Sequence, residues 1–404
     1  MCLMESEVRG EVVHLQVDGV IFAEQPCGGV TRVWVNLLRS LASTRGCELT
    51  VYLPRLLAQH PDLPGSARLV PYPFPVNLRP GRLFRRLNDL IGEKRLKQFW
   101  AKPRDGIFHS THFTTYPSLR LPQVLSVYDI FHEMLPDCFE EPKRSLFAQR
   151  RELCVRRADH IICCSNCTAD DVRRYYGIAD SPGITVVRLA VDGVFRPLGD
   201  AAAAQTLREC RTGGRPFLLY VGARHPYKNF SGLLAAYGSW PRRADFRLLV
   251  CGGGPPIAYE NALVRALGIH NLVQFWPDIG DVDLVGAYNA AAALVVPSLY
   301  EGFGLPVWEA MACGTPVVAA RAGALPEVGG DIPVYFDFGS PALLASALDE
   351  VTRIERGCDR LQTGMRIATR RTWDDVAREY LSVYRAIVGR EPRGATVPTC
   401  LQSG

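Results

Sequence analysis

The sequence predicts an α/β protein with two doubly wound domains, each a parallel sheet covered by helices. Short β-branched runs alternate with stretches of helical period, which is typical of parallel strands joined by crossover helices. The alternation stops near Leu198 and then begins again, and 404 residues suffice for two domains. Hydrophobic residues make up 48% and charged residues 22% of the chain, which excludes a disordered, collagen-like or coiled-coil protein.

The predicted strands fall into two series. Those of the first half are expected at residues 12–17, 49–53, 106–109, 123–127, 160–164 and 184–189. Those of the second half are expected at residues 217–221, 247–251, 272–275, 294–297, 317–320 and 334–336. Helical stretches in the first half include residues 30–41, 82–100 and 143–157.

Four segments are expected along the chain. Residues 1–198 form the first domain and residues 199–372 the second. Residues 373–390 carry apolar side chains at helical spacing and predict a last helix able to pack back on the first domain, and residues 391–404 form a loose tail. The net charge of +5 falls within residues 1–198, where 26 Lys and Arg face 21 Asp and Glu. This bias suggests an anionic partner or surface, and no motif indicates nucleic-acid binding.

Binding residues are expected in the loops that follow the strands, because paired doubly wound domains bind ligands at the carboxyl ends of their strands. The first such loop contains Gly28 and Gly29 and opens a helix. Two glycines let backbone N–H groups approach a ligand, and a helix start favours an anion. An ordinary strand–helix turn is the alternative.

Two cations, Arg224 and Lys228, share the loop after predicted strand 217–221. Arginine offers phosphate a bidentate fork, and lysine offers a compact charge. A solvated loop is the alternative, but a position directly after an apolar strand favours phosphate binding.

The most informative pattern extends from Glu301 to Glu309. A glycine-rich loop follows a strand, Pro306 suits the first turn of a helix, and Gly314 is a typical C-terminal cap. The two carboxylates can face one ligand, and carboxylates suit sugar and ribose hydroxyls because they only accept hydrogen bonds. A helix dipole alone would explain Glu309, but it leaves Glu301 and the glycines unexplained.

These motifs together resemble those of glycosyltransferase family 4 (group 1), whose retaining enzymes carry an E-x7-E segment. The stretch Leu219–Phe230 is similar to the family's donor-phosphate loop, and Gly323–Val328 to its segment after the next strand. Arg157–Ser165 resembles the A-D-x-I-I-x-x-S stretch of the N-terminal domain. The resemblance covers most of the chain. It implies the GT-B fold, in which two Rossmann-like domains face a cleft, the first binding the acceptor and the second a nucleotide-sugar donor.

The resemblance also implies roles for individual residues. Arg224 and Lys228 would hold the donor diphosphate, Glu309 the nucleotide ribose and Glu301 the donor sugar. The remaining donor-binding candidates would offer backbone N–H groups from either domain: Gly28, Gly29, Phe303, Gly304 and Leu305.

One position departs from the family pattern. The family often has His-Asp after the strand at residues 123–127, and this chain has Tyr128 and Asp129 there. His132 follows three residues later, so Asp129 and His132 join Glu301 as catalytic candidates. His109 and His112 are further candidates, although a histidine after a strand is more often structural.

Neither a cofactor nor a metal is expected. Cys163, Cys164 and Cys167 are close in sequence, but no second pair completes a zinc pattern, and they are interpreted as core thiols. The resemblance implies that cations and helix ends neutralise the diphosphate without metal. The first residues do not resemble a signal peptide and no run is long enough to span a membrane, so a cytoplasmic protein is expected.

The predicted activity is retaining transfer of a hexose from a nucleotide-sugar to a hydroxyl of a glycan or lipid-linked acceptor in polysaccharide biosynthesis. GDP-mannose is the first guess for the donor. Two alternatives stay open: a nucleotide-sugar epimerase of GT-B fold, or a catalytically weak sugar-nucleotide-binding subunit in which Tyr128 marks lost chemistry.

A basic segment at residues 79–104 predicts peripheral contact with an anionic membrane. It holds nine Lys and Arg against two acids, and leucines together with Phe99 and Trp100 recur at helical spacing. An apolar stripe flanked by cations is typical of a helix lying on a membrane surface. A helix whose apolar side faces the core is the alternative.

Overall fold

A computed structural model gives the fold of the chain. It describes residues 12–26, 28–54, 62–72, 98–100, 102, 104–116, 118–139, 143–178, 183–199 and 201–388.

The first half of the chain forms a sheet of seven parallel strands in the order β3-β2-β1-β4-β5-β6-β7. The strands are β1 Val13–Asp18, β2 Cys47–Pro54, β3 Arg68–Tyr72, β4 Ile107–Ser110, β5 Gln123–Val127, β6 His160–Cys163 and β7 Gly183–Val186. Five of the six predicted strands lie within two residues of these bounds at both ends, and β7 ends three residues earlier than predicted. The sequence pattern missed β3, because an edge strand tolerates Pro71 and exposed side chains and so lacks the apolar run of a central strand.

The second half forms a sheet of six parallel strands in the order β10-β9-β8-β11-β12-β13. They are β8 Phe217–Val221, β9 Arg247–Cys251, β10 Val273–Trp276, β11 Ala293–Val296, β12 Val317–Ala320 and β13 Val334–Phe336. Most of their residues are buried and apolar, because helices cover both faces of a parallel sheet.

Helices cover both sheets. Those of the first half are Val20–Glu24, Gly29–Ser43, Phe131–Met134, Lys143–Arg157 and Asn166–Tyr176. Those of the second half are Ala201–Thr212, Phe230–Ser239, Ala258–Ala266, Asp281–Ala290, Leu305–Ala312, Leu325–Gly329, Pro341–Val351, Asp359–Thr369 and Trp373–Ile387. Short 3-10 turns lie at Pro136–Cys138 and Pro226–Lys228.

The helix Trp373–Ile387 packs against the first sheet rather than the second. Its buried Tyr380 and Tyr384 belong to the same hydrophobic cluster as β1 and the helix Gly29–Ser43. The Tyr384 hydroxyl lies 2.6 Å from Nδ1 of the buried His109. The end of the chain therefore crosses back to the first half and ties the two halves together.

Most of the basic segment 79–104 lies outside the described residues. Its end packs in the core: Trp100 is fully buried and stacks on Tyr116 with ring centroids 4.5 Å apart. The Arg104 guanidinium lies over the Trp100 ring at 4.9 Å. This end of the predicted apolar stripe therefore faces protein. For the cations and leucines of residues 79–97, contact with a membrane stays a prediction.

Candidate functional site

A cleft of about 1340 Å³ lies between the carboxyl ends of the two sheets. It is lined by loops that follow strands of both halves, because parallel strands direct these loops to one edge of each sheet. The cleft brings together all but one of the predicted site residues: Gly28, Gly29, Asp129, His132, Lys228, Glu301, Phe303, Gly304, Leu305 and Glu309.

The helix Leu305–Ala312 begins at the cleft. Gly304 precedes it with φ +88°, and a Cβ there would lie 2.6 Å from Cδ2 of Leu325, so both backbone conformation and space require glycine. The Phe303 side chain is buried against Trp308 with ring centroids 5.1 Å apart. Phe303 therefore offers a ligand its backbone only. A helix N-terminus with free N–H groups is suited to an anion.

Glu301 and Lys228 form an ion pair on the second-half side of the cleft. Nζ of Lys228 lies 2.6 Å from Oε1 of Glu301, which also accepts from Oγ of Ser298 at 2.7 Å. Burial alone would lower the pKa of Lys228, but the Glu301 carboxylate raises it above its ordinary value. Both donors use Oε1, so within the described residues Oε2 of Glu301 is available to a ligand hydroxyl.

Glu309 is held by two donors, one from each half of the chain. Its Oε1 accepts from Nη1 of Arg32 at 2.8 Å, and its Oε2 accepts from the Tyr288 hydroxyl at 2.7 Å. Burial raises the pKa of Glu309, and Arg32 opposes that shift. Arg32 also bonds Asp281, so one guanidinium joins two carboxylates across the cleft.

Sequence reasoning missed Arg32 as a site residue. It lies three residues beyond Gly29, one turn into the helix Gly29–Ser43 that the glycine loop opens. That spacing places the Arg32 side chain beside the loop of Gly28 and Gly29, and this local feature could have indicated a role in the site. Its acidic partner Glu309 is 277 residues away, and no local pattern encodes such a contact.

Arg224, predicted to hold the donor diphosphate, makes its hydrogen bonds within the second half of the chain. Its Nε donates to Glu260 at 2.7 Å, Nη1 to the Gly252 carbonyl at 2.8 Å, and Nη2 to the carbonyls of Gly254 and Pro255. The side chain is 4% exposed and does not line the cleft. Arg224 braces the glycine-rich loop after β9, and contact with a diphosphate would require its guanidinium to leave these acceptors.

The glycine loop of the first half meets the second half across the cleft. A Cβ built on Gly29 would lie 3.6 Å from Cδ1 of Leu305, so the two predicted backbone-donor loops lie close together. Gly28 has φ +150° and precedes the helix. Gly28 and Gly29 therefore lie where their loop and the loop before Leu305 can contact one ligand.

Asp129 and His132 lie on the first-half side of the cleft, beside an arginine that the sequence did not single out. Nη2 of Arg151 lies 3.7 Å from Oδ1 of Asp129, and Nη1 bonds Glu133 at 2.9 Å. Burial raises the pKa of Asp129. Burial, with Arg151 nearby, lowers the pKa of His132 to about 4, so its ring is neutral at pH 7.

The His132 ring is part of an aromatic stack that joins the two halves. It stacks on Phe131 with centroids 4.1 Å apart, and Phe131 stacks on Tyr227 at 4.2 Å. Within the described residues Nδ1 of His132 is buried without a hydrogen-bond partner. The ring is therefore fixed by packing rather than by hydrogen bonds.

Tyr128 is partly buried, and its backbone carbonyl oxygen accepts a hydrogen bond from Sγ of Cys164 at 3.1 Å. Its hydroxyl is buried without a hydrogen bond of ordinary geometry, close to the hydroxyls of Ser126 and Tyr380. Burial raises the pKa of this hydroxyl, so it stays protonated. Tyr128 thus has no ionised form that would replace the expected histidine as a base.

The two further histidine candidates occupy different environments. His109 is fully buried between Tyr384 and Ser126, and burial lowers its pKa to about 3. This environment assigns His109 to the core and not to catalysis. His112 lines the cleft, with Nε2 3.2 Å from Glu24.

No group of three His, Cys, Asp or Glu side chains in the described part of the chain is arranged to hold a metal ion. No helix there is both long and apolar enough to cross a membrane. Of the three cysteines interpreted as core thiols, Cys163 and Cys164 are buried and Cys167 is only partly buried. Burial raises the pKa of the Cys163 thiol to about 12.

Two family models match the chain, one in each half. A family model described as Glycosyltransferase Family 4 matches residues 27–192, and one described as Glycosyl transferases group 1 matches residues 209–366. O-antigen chain mannosyltransferase B of Escherichia coli is 27% identical over 72% of this chain and 77% of its own. D-inositol 3-phosphate glycosyltransferase of Xylanimonas cellulosilytica is 35% identical over 64% of each chain, so the match spans less than two thirds of that relative.

Solved structures share the whole fold. Sucrose-phosphate synthase from Thermosynechococcus elongatus superposes with a TM-score of 0.75 at 20% identity, covering 93% of this chain and 98% of its own. HepE from Anabaena, solved in complex with UDP and glucose, gives 0.71 at 17% identity, covering 93% and 100%. These overlaps confirm the predicted pair of Rossmann-like domains, the GT-B fold.

Proposed function

The chain belongs to the group 1 (family 4) glycosyltransferases, and from this premise we propose that it is a retaining hexosyltransferase using a nucleotide-sugar donor. One observation carries the proposal: Glu301, Glu309 and Lys228 meet around the start of the helix Leu305–Ala312 in a single cleft. This arrangement offers carboxylates to hydroxyl groups and a cation with helix N–H groups to a diphosphate.

The proposed donor contacts follow from these positions. Glu309 accepts the ribose hydroxyls and Oε2 of Glu301 accepts a hydroxyl of the sugar. Lys228, the first turn of the helix and the backbone of Gly28 and Gly29 stabilise the diphosphate. Charge that develops on the leaving diphosphate is then met by groups already in place, which is an efficient form of transition-state stabilisation.

In the proposed mechanism the departing phosphate oxygen takes the proton of the acceptor hydroxyl. Such a reaction makes little demand on a protein base, in keeping with a protonated Tyr128 at the usual histidine position. Asp129 and the neutral His132 would orient the acceptor hydroxyl and the sugar from the first-half side. The enzyme's main contribution is to position the reacting groups.

We propose mannose as the sugar and GDP-mannose as the donor, with a glycan or lipid-linked acceptor in polysaccharide biosynthesis. The similarity to a mannosyltransferase of O-antigen chains supports this choice. The basic segment 79–104 supports peripheral contact with an anionic membrane, where a lipid-linked acceptor would lie.

A nucleotide-sugar screen tests the function. Thermal shift identifies the donor, because a ligand at a hundred times its Kd stabilises the native state by about 2.7 kcal/mol. The selected donor is then incubated with and without candidate acceptors, nucleotide release is measured, and the anomeric configuration of the product is read by NMR. Inversion at the anomeric carbon would contradict retention, and an interconverted donor without transfer would indicate an epimerase. Binding without any nucleotide release would indicate a binding subunit.

A further inference from the structure

Glu301 lies between two residues that are each hydrogen-bonded to the other half of the chain. On one side the Tyr300 hydroxyl donates to Oδ2 of Asp171 at 2.8 Å. On the other side the Gly302 carbonyl accepts from Oγ of Ser165 at 2.7 Å and from Oγ1 of Thr168 at 3.1 Å. Tyr300, Ser165, Thr168 and Asp171 are all buried, so these bonds are shielded from water.

The loop around Glu301 approaches the first half as closely as backbones allow. A Cβ on Gly302 would lie 1.7 Å from the carbonyl oxygen of Tyr128, so only glycine fits there. A Cβ on Gly323 would lie 2.4 Å from the Glu301 carbonyl oxygen, which accepts from the Ala324 N–H at 2.8 Å. The backbone of Glu301 is therefore fixed between the first half and the loop after β12.

The helix Asn166–Tyr176, which follows Ser165, is capped by a carboxylate of the second half. Glu327 accepts from the backbone N–H groups of Asn166 and Cys167, each at 3.0 Å. A negative charge at a helix N-terminus is favourable. Glu327 of the second half thus stabilises the start of the helix Asn166–Tyr176. Residues at that end of the helix hydrogen-bond in turn to the loop of Glu301.

We propose that Ser165, Asp171, Tyr300 and Glu327 are positioning residues that set Glu301 for the donor sugar when the two halves engage. The inference rests on the proposed function of Glu301. It gives a role to Arg157–Ser165 and Gly323–Val328, two stretches that resemble the family motifs and yet do not line the cleft. In this proposal Ser165 and Glu327, which lie in these stretches, act through Glu301 and do not contact the substrate.

The test removes the hydrogen bond between Tyr300 and Asp171, by replacing either the donor or the acceptor. Asp171→Ala and Tyr300→Phe are each expected to lower kcat about tenfold or more, because small displacements of positioned groups are costly to turnover. The affinity for the free nucleoside diphosphate stays within about twofold of wild type, since Glu301 is assigned to the sugar and not to the nucleotide. Asp171→Asn retains an oxygen that accepts from Tyr300 and recovers most of the activity.

Two comparisons separate positioning from loss of structure. Asp170→Ala is the matched control, because Asp170 lies on the same helix and pairs with Arg173 at 2.9 Å on the surface. The double variant Asp171→Ala, Tyr300→Phe should lose no more than either single variant, because both remove the same bond. Wild-type kcat in both single variants, additive losses in the double variant, or an Asp171→Asn enzyme as poor as Asp171→Ala would overturn the proposal.

Hydrogen exchange supplies a readout that needs no donor. Amides of residues 299–305 should exchange faster in Asp171→Ala than in wild type and Asp170→Ala. Unchanged exchange overturns the positioning role even if the enzyme transfers sugar. If the wild-type protein releases nucleotide from none of the nucleotide-sugars tested, the proposed function is refuted. The hydrogen-exchange experiment still decides whether Asp171 holds the loop of Glu301.

Discussion

Nη1 of Arg32 lies 2.8 Å from Oε1 of Glu309, so a cation of the first half holds the carboxylate that we assign to the nucleotide ribose. The same guanidinium bonds Asp281 and lies over the Phe195 ring at 5.1 Å. Glu309 is 5% exposed, and a buried carboxylate stays ionised only with such a partner. Burial raises the pKa of Glu309, and Arg32 opposes that shift together with the Tyr288 hydroxyl.

Replacement of Arg32 should make nucleotide binding more sensitive to acid. Burial already raises the pKa of Glu309, and Arg32→Met removes the charge that opposes this shift. In the proposed role only the carboxylate form of Glu309 accepts two ribose hydroxyls, so the affinity for nucleotide is expected to fall as pH falls through the Glu309 pKa. In the variant this fall begins at higher pH. Calorimetry measures the Kd of the nucleoside diphosphate at several values between about pH 5 and pH 8 and gives the pH at which affinity falls. Arg156→Met serves as control, because Arg156 pairs with Glu152 on the surface and does not line the cleft. Identical pH profiles for Arg32→Met and Arg156→Met would contradict the prediction.

Lys228→Ala should weaken donor binding without a large loss of stability. A charge-assisted hydrogen bond to phosphate is worth about 1.5–3 kcal/mol. Arg224→Ala should differ, because it leaves the buried Glu260 unpaired, which costs about 3–5 kcal/mol of unfolding free energy. Donor Kd and Tm are measured for both variants. Equal effects of the two substitutions on Kd and Tm would show that the structure misassigns Arg224.

The two glutamates should separate nucleotide from sugar recognition. Glu309→Gln is expected to weaken binding of the free nucleoside diphosphate and of the full donor alike, because both contain the ribose. Glu301→Gln is expected to weaken binding of the full donor only. Calorimetry with both ligands checks the difference. Equal weakening of both ligands by Glu301→Gln would refute the division of roles.

His109 should make the native state less stable in acid. Its pKa in the folded protein is about 3, whereas the unfolded chain takes up the proton near pH 6.5. As pH falls through this window the unfolded state binds more protons, and the unfolding free energy falls by at most about 1.4 kcal/mol per pH unit for one site. His109→Gln removes this contribution. Urea unfolding of both proteins at several pH values measures it, and a constant difference between them across the window would disprove the assignment.

The basic segment should bind anionic lipid in a salt-dependent manner. Each basic residue near an anionic bilayer contributes about 1 kcal/mol, and salt screens exposed charges. Wild type is expected to co-sediment with anionic liposomes at low salt, and the triple change of Arg82, Arg85 and Arg86 to Gln should reduce this. A wild type that stays in the supernatant at low salt rules out membrane docking.

Local sequence patterns determined much of this protein. The strands predicted at 217–221, 247–251, 317–320 and 334–336 match those of the structure residue for residue, because a strand buried on both faces is mostly apolar. The glycine loop that opens the helix at Leu305 was likewise predictable, since capping and first-turn preferences act over a few residues.

Tertiary structure alone decided how charged side chains are used. Arg224 and Lys228 are equivalent in the sequence pattern, yet Arg224 turns to carbonyls of the loop after β9 and Lys228 turns to Glu301 in the cleft. Arg32 hydrogen-bonds to Glu309, which is 277 residues away in the sequence, and Ser165 hydrogen-bonds to the Gly302 carbonyl, which is 137 residues away. Propensity and periodicity describe neighbours along the chain, whereas the partner of a long polar side chain depends on which distant elements the fold brings within hydrogen-bonding distance.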